Sequence, residues 1–422
     1  MANNLGSNVT RKVARVFLDA FESNRVVTKT VDTQLLTGRF NPSSGSTADF
    51  KRPHDYKSIR TSGGDISGST KSSIIAGKAT GTVQDFFTVG IEWGILEEAI
   101  QLDQLDEILA PAAKRIVTDL EVNFAAYMQK NASLRYGTHG TAVDAWSDVA
   151  GAGALLDSLG VDKSMGGSYL MNPFTTTALA DAQNGLTAAD QLVRTAWERS
   201  QISSKFGGLT ALTSNAMATF TSSTGADRAG TLSSAPDPTY VTAKDTMTQN
   251  IPVTAMQANM VVKAGELITI ANVNRINLDT KQQMLNAAGA VVPWTGVVTA
   301  DVTLGASGEG TLVVAGPAIY EATGQYNTVD AAPANGAVVT IVSATATTYQ
   351  PNLFYVKQAF GLGTVKLPKL YATDTVATTQ DGFSIRICKY ADGDTNTQMV
   401  RFDLLPAYAT FNPLFAGQGF GV

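Results

Sequence analysis

Side chains that most often do chemistry are scarce in this sequence. There are two histidines, His54 and His139, and one cysteine, Cys388. His54 follows Lys51-Arg52-Pro53 in a polar stretch and His139 sits in Gly137-Thr-His-Gly140, so both read as loop residues. Neither has a cysteine at metal-ligand spacing. Cys388 lies in the alternating run Phe383-Ser-Ile-Arg-Ile-Cys-Lys-Tyr390, which reads as a strand carrying a buried structural thiol rather than a nucleophile. A single cysteine also excludes an intrachain disulfide. Glu97, Glu98, Asp103, Asp106 and Glu107 crowd one helical segment. Paired carboxylates can share acid–base work, so Glu97 and Glu98 would imply a hydrolase. The same charges belong on the wet face of an amphipathic helix, where Arg or Lys of another subunit could meet them. Asp392-Gly-Asp394 is a fragment of a calcium loop without its ligand series or terminal Glu, and reads as a turn. No Gly-x-Ser-x-Gly elbow, phosphate-binding Lys loop or dinucleotide glycine fingerprint occurs. The expectation is a protein that is not an enzyme and needs no cofactor or metal.

The elements around these residues point elsewhere. The chain has 422 residues, enough for two or three domains. Charged residues make up only 16% against 44% hydrophobic. Average chains carry about 25% charged residues. Much of the surface is therefore neutral or covered by a partner, as in a large assembly. A net charge of −5 without Lys/Arg clusters argues against tight nucleic-acid binding. No apolar run approaches the ~18 residues of a membrane span, and the start, Met-Ala-Asn-Asn-Leu, lacks a signal-peptide pattern. A reducing cytoplasm is the expected site of synthesis.

Residues 7–22 read as an amphipathic helix through Val9, Val13, Val16, Phe17, Ala20 and Phe21, with Ser7 or Asn8 as cap. Residues 37–82 are a long polar Gly/Ser/Thr stretch, either disordered or an extended hairpin ordered by neighbours. Residues 91–131 carry the strongest helical periodicity. Pro111 divides it into a helix ending near Leu109 and a second over 111–131. Further helices are expected from Ser147 to Leu159, closed by Gly160, from Pro173 to Ala182, and over 188–199. Strands are expected at 169–171 and 206–212. From 216 to 350 Thr, Val, Ala and Gly dominate in short alternating runs, such as Gly310-Thr-Leu-Val-Val-Ala315, the pattern of an inserted antiparallel barrel or sandwich. Phe383–Tyr390 and Gln398–Leu405 pair as a hairpin across Asp392-Gly393, and Ala407–Phe411 forms a last strand.

The order of these parts, and several words within them, resemble a known family. The words are Phe50-Lys-Arg-Pro-His54, Gly64-Asp-Ile-Ser-Gly68, Leu96-Glu-Glu-Ala-Ile100, Glu107-Ile-Leu-Ala-Pro111, Gln191-Leu-Val-Arg-Thr-Ala-Trp197, Pro351-Asn-Leu-Phe-Tyr355 and Arg401-Phe-Asp-Leu-Leu-Pro-Ala-Tyr408. Over almost its whole length the chain is similar to the coat proteins of short-tailed lambdoid double-stranded-DNA phages. The resemblance implies an α+β, Hong Kong 97-type capsid fold with an inserted all-β barrel-like domain. It implies an N-arm at 1–35, an E-loop at 36–82 and a peripheral domain with a spine helix at 83–136. Residues 137–215 and 351–395 become the axial domain, 216–350 the insertion domain, and 396–422 a return to the peripheral domain. In the family the insertion aids folding and contacts neighbouring subunits. The implied function is a shell subunit forming hexamers and pentamers. It assembles with a separate scaffolding protein and a portal, then expands around double-stranded DNA held without sequence-specific contacts. No membrane is involved, and the virion is the implied location. The E-loop lysines Lys57, Lys71 and Lys78 are assigned no crosslinking chemistry, because this branch is as a rule non-crosslinked.

Candidate contacts between subunits are Arg11, Lys12 and Arg15 in the first helix, Lys51, Arg52 and Asp65 in the polar stretch, and Asp227, Arg228, Lys244 and Asp245 in the β-rich block. Two rival readings stand beside this one. The Thr/Gly-rich block would suit a β-rich adhesin or carbohydrate-binding module, and the helical carboxylates a hydrolase. The first would require export, and the second lacks any convergent polar set.

Overall fold

The computed structural model describes residues 15, 17–22, 24–36, 40, 45–94, 105–162, 166–183, 204–322, 324–371, 374–379, 381–392, 394 and 397–422. Packing divides the chain into two units: Met1–Asp49, Thr80–Ala125 and Phe360–Ala409 form the first, and Phe50–Ala79, Ala126–Ala359 and Thr410–Val422 the second.

Helix α1, Leu105–Asn131, supplies the first unit's spine. Ala112, Ala113, Ile116, Val117, Leu120 and Phe124 are buried at three- and four-residue spacing, which places them on one face. The expected break at Pro111 does not occur, because the helix runs straight through it. Proline inside a helix costs about 3 kcal/mol through its missing N–H and its ring. Burial of Ile116, Leu120 and Phe124 contributes roughly 1.5–3 kcal/mol each, so packing outweighs the local penalty. A second correction lies upstream. Ile91–Gly94 are not helical; they end the strand Phe87–Gly94, which pairs along its length with Thr397–Leu404. The sheet continues through Ser384–Asp392 to Thr375–Thr378. Tyr390 lies opposite Met399, so the C-terminal hairpin forms as expected. Another sheet orders Thr47–Lys51, Lys78–Val83, Pro406–Thr410 and Phe360–Thr364. Of the expected first helix, residues 17–22 are helical and residues 1–14 lie outside the described ones. Phe17 stacks on Phe402 at 4.2 Å, and Phe21 leans on Phe383 at 5.8 Å.

In the second unit a six-stranded sheet orders Leu134–Tyr136, Ala416–Gly419, Asn352–Val356, Gly167–Met171, Leu209–Thr213 and Lys205–Phe206. Helix α2, Trp146–Leu159, ends at Gly160 with φ 91°, the left-handed stop expected there. Helix α3, Pro173–Gln183, begins where Asn172 Oδ1 accepts the Thr175 amide at 2.7 Å. The expected strand over 206–212 is instead two strands folded around Gly207-Gly208, both at positive φ. The helix expected over 188–199 lies outside the described residues.

Also in this unit is a closed barrel, ordered Thr248–Thr254, Gly310–Ala315, Gly296–Val298, Leu267–Ile270, Val338–Ile341 and Ala229–Leu232. Alternation explains its interior: Ile251 and Val253 point in from one strand, and Leu312 and Val314 from its partner. Trp294 is fully buried in that core and donates from Nε1 to the Gly316 carbonyl at 3.0 Å. Closure leaves the barrel without free edges. The chain is thus mixed α+β with a β barrel set into it, the class expected from the composition shift at residue 216.

Candidate functional site

Among the described residues, the histidines and the cysteine stand in separate settings. Among the described residues no group of three or more His, Cys, Asp or Glu could hold a metal ion. His139 is walled by Tyr349 at 4.5 Å and Phe420 at 4.3 Å, and neither ring nitrogen has a hydrogen-bond partner. Burial, reinforced by the nearby Arg135 charge, pushes its pKa down to about 4. It is neutral at pH 7 and is not an imidazolium acid there. Cys388 is buried, and desolvation, with Asp374 Oδ2 beside its Sγ, pushes its pKa up to about 11, which removes it as a nucleophile. Glu97, Glu98 and Asp103 lie outside the described residues, as do the side chains of Asp106 and Glu107.

Buried charge is used instead to join distant segments. Glu266, 0% exposed, precedes the strand Leu267–Ile270. Its Oε1 accepts from the Ser223 amide and hydroxyl, both at 3.1 Å, from the Ser343 hydroxyl at 2.8 Å, and from Arg228. Its Oε2 accepts the Lys263 amide at 2.8 Å. Ser223 and Arg228 stand just before the first barrel strand and Ser343 just after the last. One carboxylate therefore clamps the neck where the chain enters and leaves the barrel. The short ribbon of Phe220–Thr221 on Thr348–Tyr349 prolongs that neck. Asp403 plays a similar part in the first unit, accepting from Thr88 Oγ1 at 2.7 Å, Arg386 Nη2 at 2.7 Å and Arg401 Nε at 2.7 Å. Burial works to raise its pKa, yet these bonds prevail and hold it below the ordinary carboxylate value.

The polar stretch is the most exposed feature. Between Thr47–Lys51 and Lys78–Val83 it carries no helix or strand, and every side chain from Arg60 to Gly68 is exposed. The legs are held together where the Arg52 amide donates to the Gly77 carbonyl at 2.9 Å and the Lys57 amide to Ser72 Oγ at 2.9 Å. Exposed loops of this kind carry much of a protein's contact with other molecules.

Comparison with known proteins decides the family. The family model described as P22 coat protein, gene protein 5, matches residues 1–421. The chain belongs to the P22 coat protein family. It is similar to the major capsid protein of Acyrthosiphon pisum secondary endosymbiont phage 1, at 44% identity over 425 residues covering 100% of both chains. Among solved structures it is similar to the capsid of cyanophage P-SCSP1u, with 11% identity, TM-score 0.45, and 94% and 88% of the two chains covered. The structure from Mycobacterium phage Che8 is comparable, with 9% identity, TM-score 0.45, and 93% and 90% covered. The chain is a phage capsid protein, of a structural and not an enzymatic family.

The candidate contact residues of this coat protein fall into three groups. Arg15, Lys51, Asp65 and Asp227 are exposed; Arg15 reaches Asp19 at 3.9 Å, and Asp65 accepts the amide of Ser67, two residues along the chain, at 2.9 Å. Arg52, Arg228, Lys244 and Asp245 are engaged within the chain. Arg52 is buried and donates to the carbonyls of Lys78 at 3.0 Å, Lys244 at 2.8 Å and Phe411. Burial pushes its pKa down to about 10, so it stays charged at pH 7. Arg228 belongs to the Glu266 clamp, and Asp245 Oδ1 accepts the Lys78 amide at 3.2 Å. Arg11 and Lys12 lie outside the described residues. Glu266 and Asp403, the two acids that organise these networks, were missed in the sequence. Their one visible signal was a lone carboxylate inside or beside an apolar strand.

Proposed function

We propose that this capsid protein builds an icosahedral procapsid from hexamers and pentamers of itself, guided by a separate scaffolding protein around a portal, and that the shell expands as double-stranded DNA is packaged. The single observation that carries the reading is the end-to-end family match over residues 1–421. The exposed arm and the net charge of −5 support it. An acidic wall repels packaged DNA, which lets the contents stay mobile.

The fold follows the Hong Kong 97 plan in this reading. Residues 1–35 are the N-arm and 36–82 the E-loop. The peripheral domain is 83–136, the axial domain 137–215 with 351–395, the insertion domain 216–350, and 396–422 returns to the peripheral domain. Arg11, Lys12, Arg15, Lys51, Asp65 and Asp227 are the polar residues offered to neighbours, and assembly takes place in the host cytoplasm before the protein resides in the virion. Many modest contacts per subunit sum to a stable shell without a covalent link. Negative-stain microscopy of the purified protein, alone and with scaffolding protein, tests the proposal. Shells or tubes are the expected products. Discrete small oligomers under both conditions overturn it.

A further inference from the structure

The two legs of the polar arm are hydrogen-bonded by residues of the same chain that lie 167 to 271 positions away. Asp55 Oδ2 and Lys281 Nζ form an ion pair at 2.9 Å, with Lys281 29% and Asp55 43% exposed. The Asp55 amide donates to the Tyr326 hydroxyl at 3.4 Å. On the other leg, Gln325 Nε2 donates to the Ser73 carbonyl at 2.6 Å. Lower down, Asp245 takes the Lys78 amide at 3.2 Å, and Arg52 Nε reaches the Lys244 carbonyl at 2.8 Å. Ile75 packs on the cluster that contains Tyr240 and Tyr326, whose rings stack at 3.7 Å. Gly77 passes so near that a Cβ there would lie 2.7 Å from the Lys244 carbonyl oxygen.

The seat itself is shaped in advance. Lys281 ends a tight turn in which Asn277 Oδ1 caps the amides of Asp279 at 2.9 Å and Thr280 at 2.8 Å. Asn277 Nδ2 in turn holds the Ser158 carbonyl at 2.8 Å. Lys281 has φ 57°, a conformation that lysine rarely takes, so the turn presents the ammonium group from a fixed backbone. Asn327 braces the neighbouring loop through Glu321, at 2.9 Å both ways. Both legs and all of these seat residues belong to the second unit.

We infer that the outer surface of the β-rich insertion, at Lys281, Gln325, Tyr326 and Asp245, is a docking seat for this chain's own arm, residues 50–79, so that the free subunit carries the arm aimed before it meets a neighbour. A pre-ordered arm avoids part of the entropy cost of ordering at the moment of contact. The tip stays exposed beyond the seat and carries Lys57, Arg60 and Lys71 against Asp65 alone. The seat therefore grips the legs and leaves a cationic tip to be presented.

Hydrogen exchange on the free, full-length subunit tests the seat, with Lys281→Met, Gln325→Leu and the charge swap Asp55→Lys/Lys281→Asp as variants. The amides of Arg52 and Lys78 should exchange about five- to thirty-fold faster in the single variants, the factor expected when one or two such bonds are lost. The swap should restore much of the protection. Barrel amides such as those of Ile251 and Leu312 serve as the folding control and should not change. Equal arm exchange in wild type and variants, with the control intact, overturns the inference. Arm protection that appears only as concentration rises would assign the seat to a second copy's arm, which also overturns it. The consequence for assembly rests on the capsid reading above and is read separately. Lys281→Met should slow shell formation by several-fold, and an unchanged rate would leave the seat standing but refute aiming as its purpose.

Discussion

Removing the Glu266 carboxylate should open the neck of the barrel. The side chain is fully buried and takes five hydrogen bonds, from the Ser223 amide and hydroxyl, the Ser343 hydroxyl, Arg228 and the Lys263 amide. In Glu266→Ala the Arg228 guanidinium, only 13% exposed, keeps carbonyl and hydroxyl partners but loses its counter-charge. Breaking a buried pair in this way costs about 3–5 kcal/mol. The Ser223 amide and hydroxyl, the Ser343 hydroxyl and the Lys263 amide lose their acceptor as well, which favours the upper half of that range. With a urea slope near ~2 kcal/mol per M, the unfolding midpoint should fall by about 2 M. Trp294, buried in the barrel core, gives the fluorescence signal. The double variant Glu266→Leu/Arg228→Met should recover most of the loss, because an apolar pair of similar volume leaves no charge behind. A loss below ~1 kcal/mol in Glu266→Ala would refute the clamp, as would a double variant worse than the single one.

Other residues give independent tests. His139 has its pKa pushed down to about 4 by burial and by Arg135, against about 6.5 in the unfolded chain, so the unfolded state binds the extra proton between these values. Stability should be complete above about pH 6.5 and fall by up to ~3 kcal/mol as pH drops towards 4. His139→Phe, set among Tyr349 and Phe420, should flatten that slope in thermal melts, and an unchanged slope would contradict the assignment. Arg275 is buried, which pushes its pKa down to about 9, and it leaves Nε and Nη1 without partners while Nη2 meets the Thr295 carbonyl. Arg275→Met should therefore be neutral or stabilising by about 1–3 kcal/mol in denaturant titration, and a loss of that size would show that the charge is needed. Cys388, with its pKa pushed up to about 11, should be alkylated at pH 8 at least a hundred-fold more slowly in the native protein than in urea. Equal rates would mean the strand hairpin opens readily.

Local chemistry made several elements legible. Gly160 ends its helix in the left-handed region because it lacks a Cβ, and Asn172 before Pro173 starts the next by capping an amide. Gly310–Ala315 alternates as a barrel strand must, since one face is buried. Pro111 misled because helix breaking is a local cost, while the face from Ala112 to Phe124 is stabilised by partners the sequence does not show. Ile91–Gly94 misled because helical spacing and strand alternation overlap in a short apolar run, and the pairing to Thr397–Val400 settles it. The contact residues were legible as charged positions but not as partners. Lys281 and Asp55 stand 226 residues apart, and Gln325 and Ser73 stand 252 apart, distances over which pattern carries no information. Arg228 drew notice as an exposed-looking charge, whereas its role depends on Glu266, a single acid in an otherwise apolar setting.

The most direct test of the shell assignment is a cryo-electron-microscopy reconstruction of particles made when this chain is co-expressed with its scaffolding protein. The account predicts a closed icosahedral wall of six- and five-membered rings made of this chain, with each arm seated on its own subunit's insertion. Particles whose wall lacks this chain, or small rings under every condition, would contradict it.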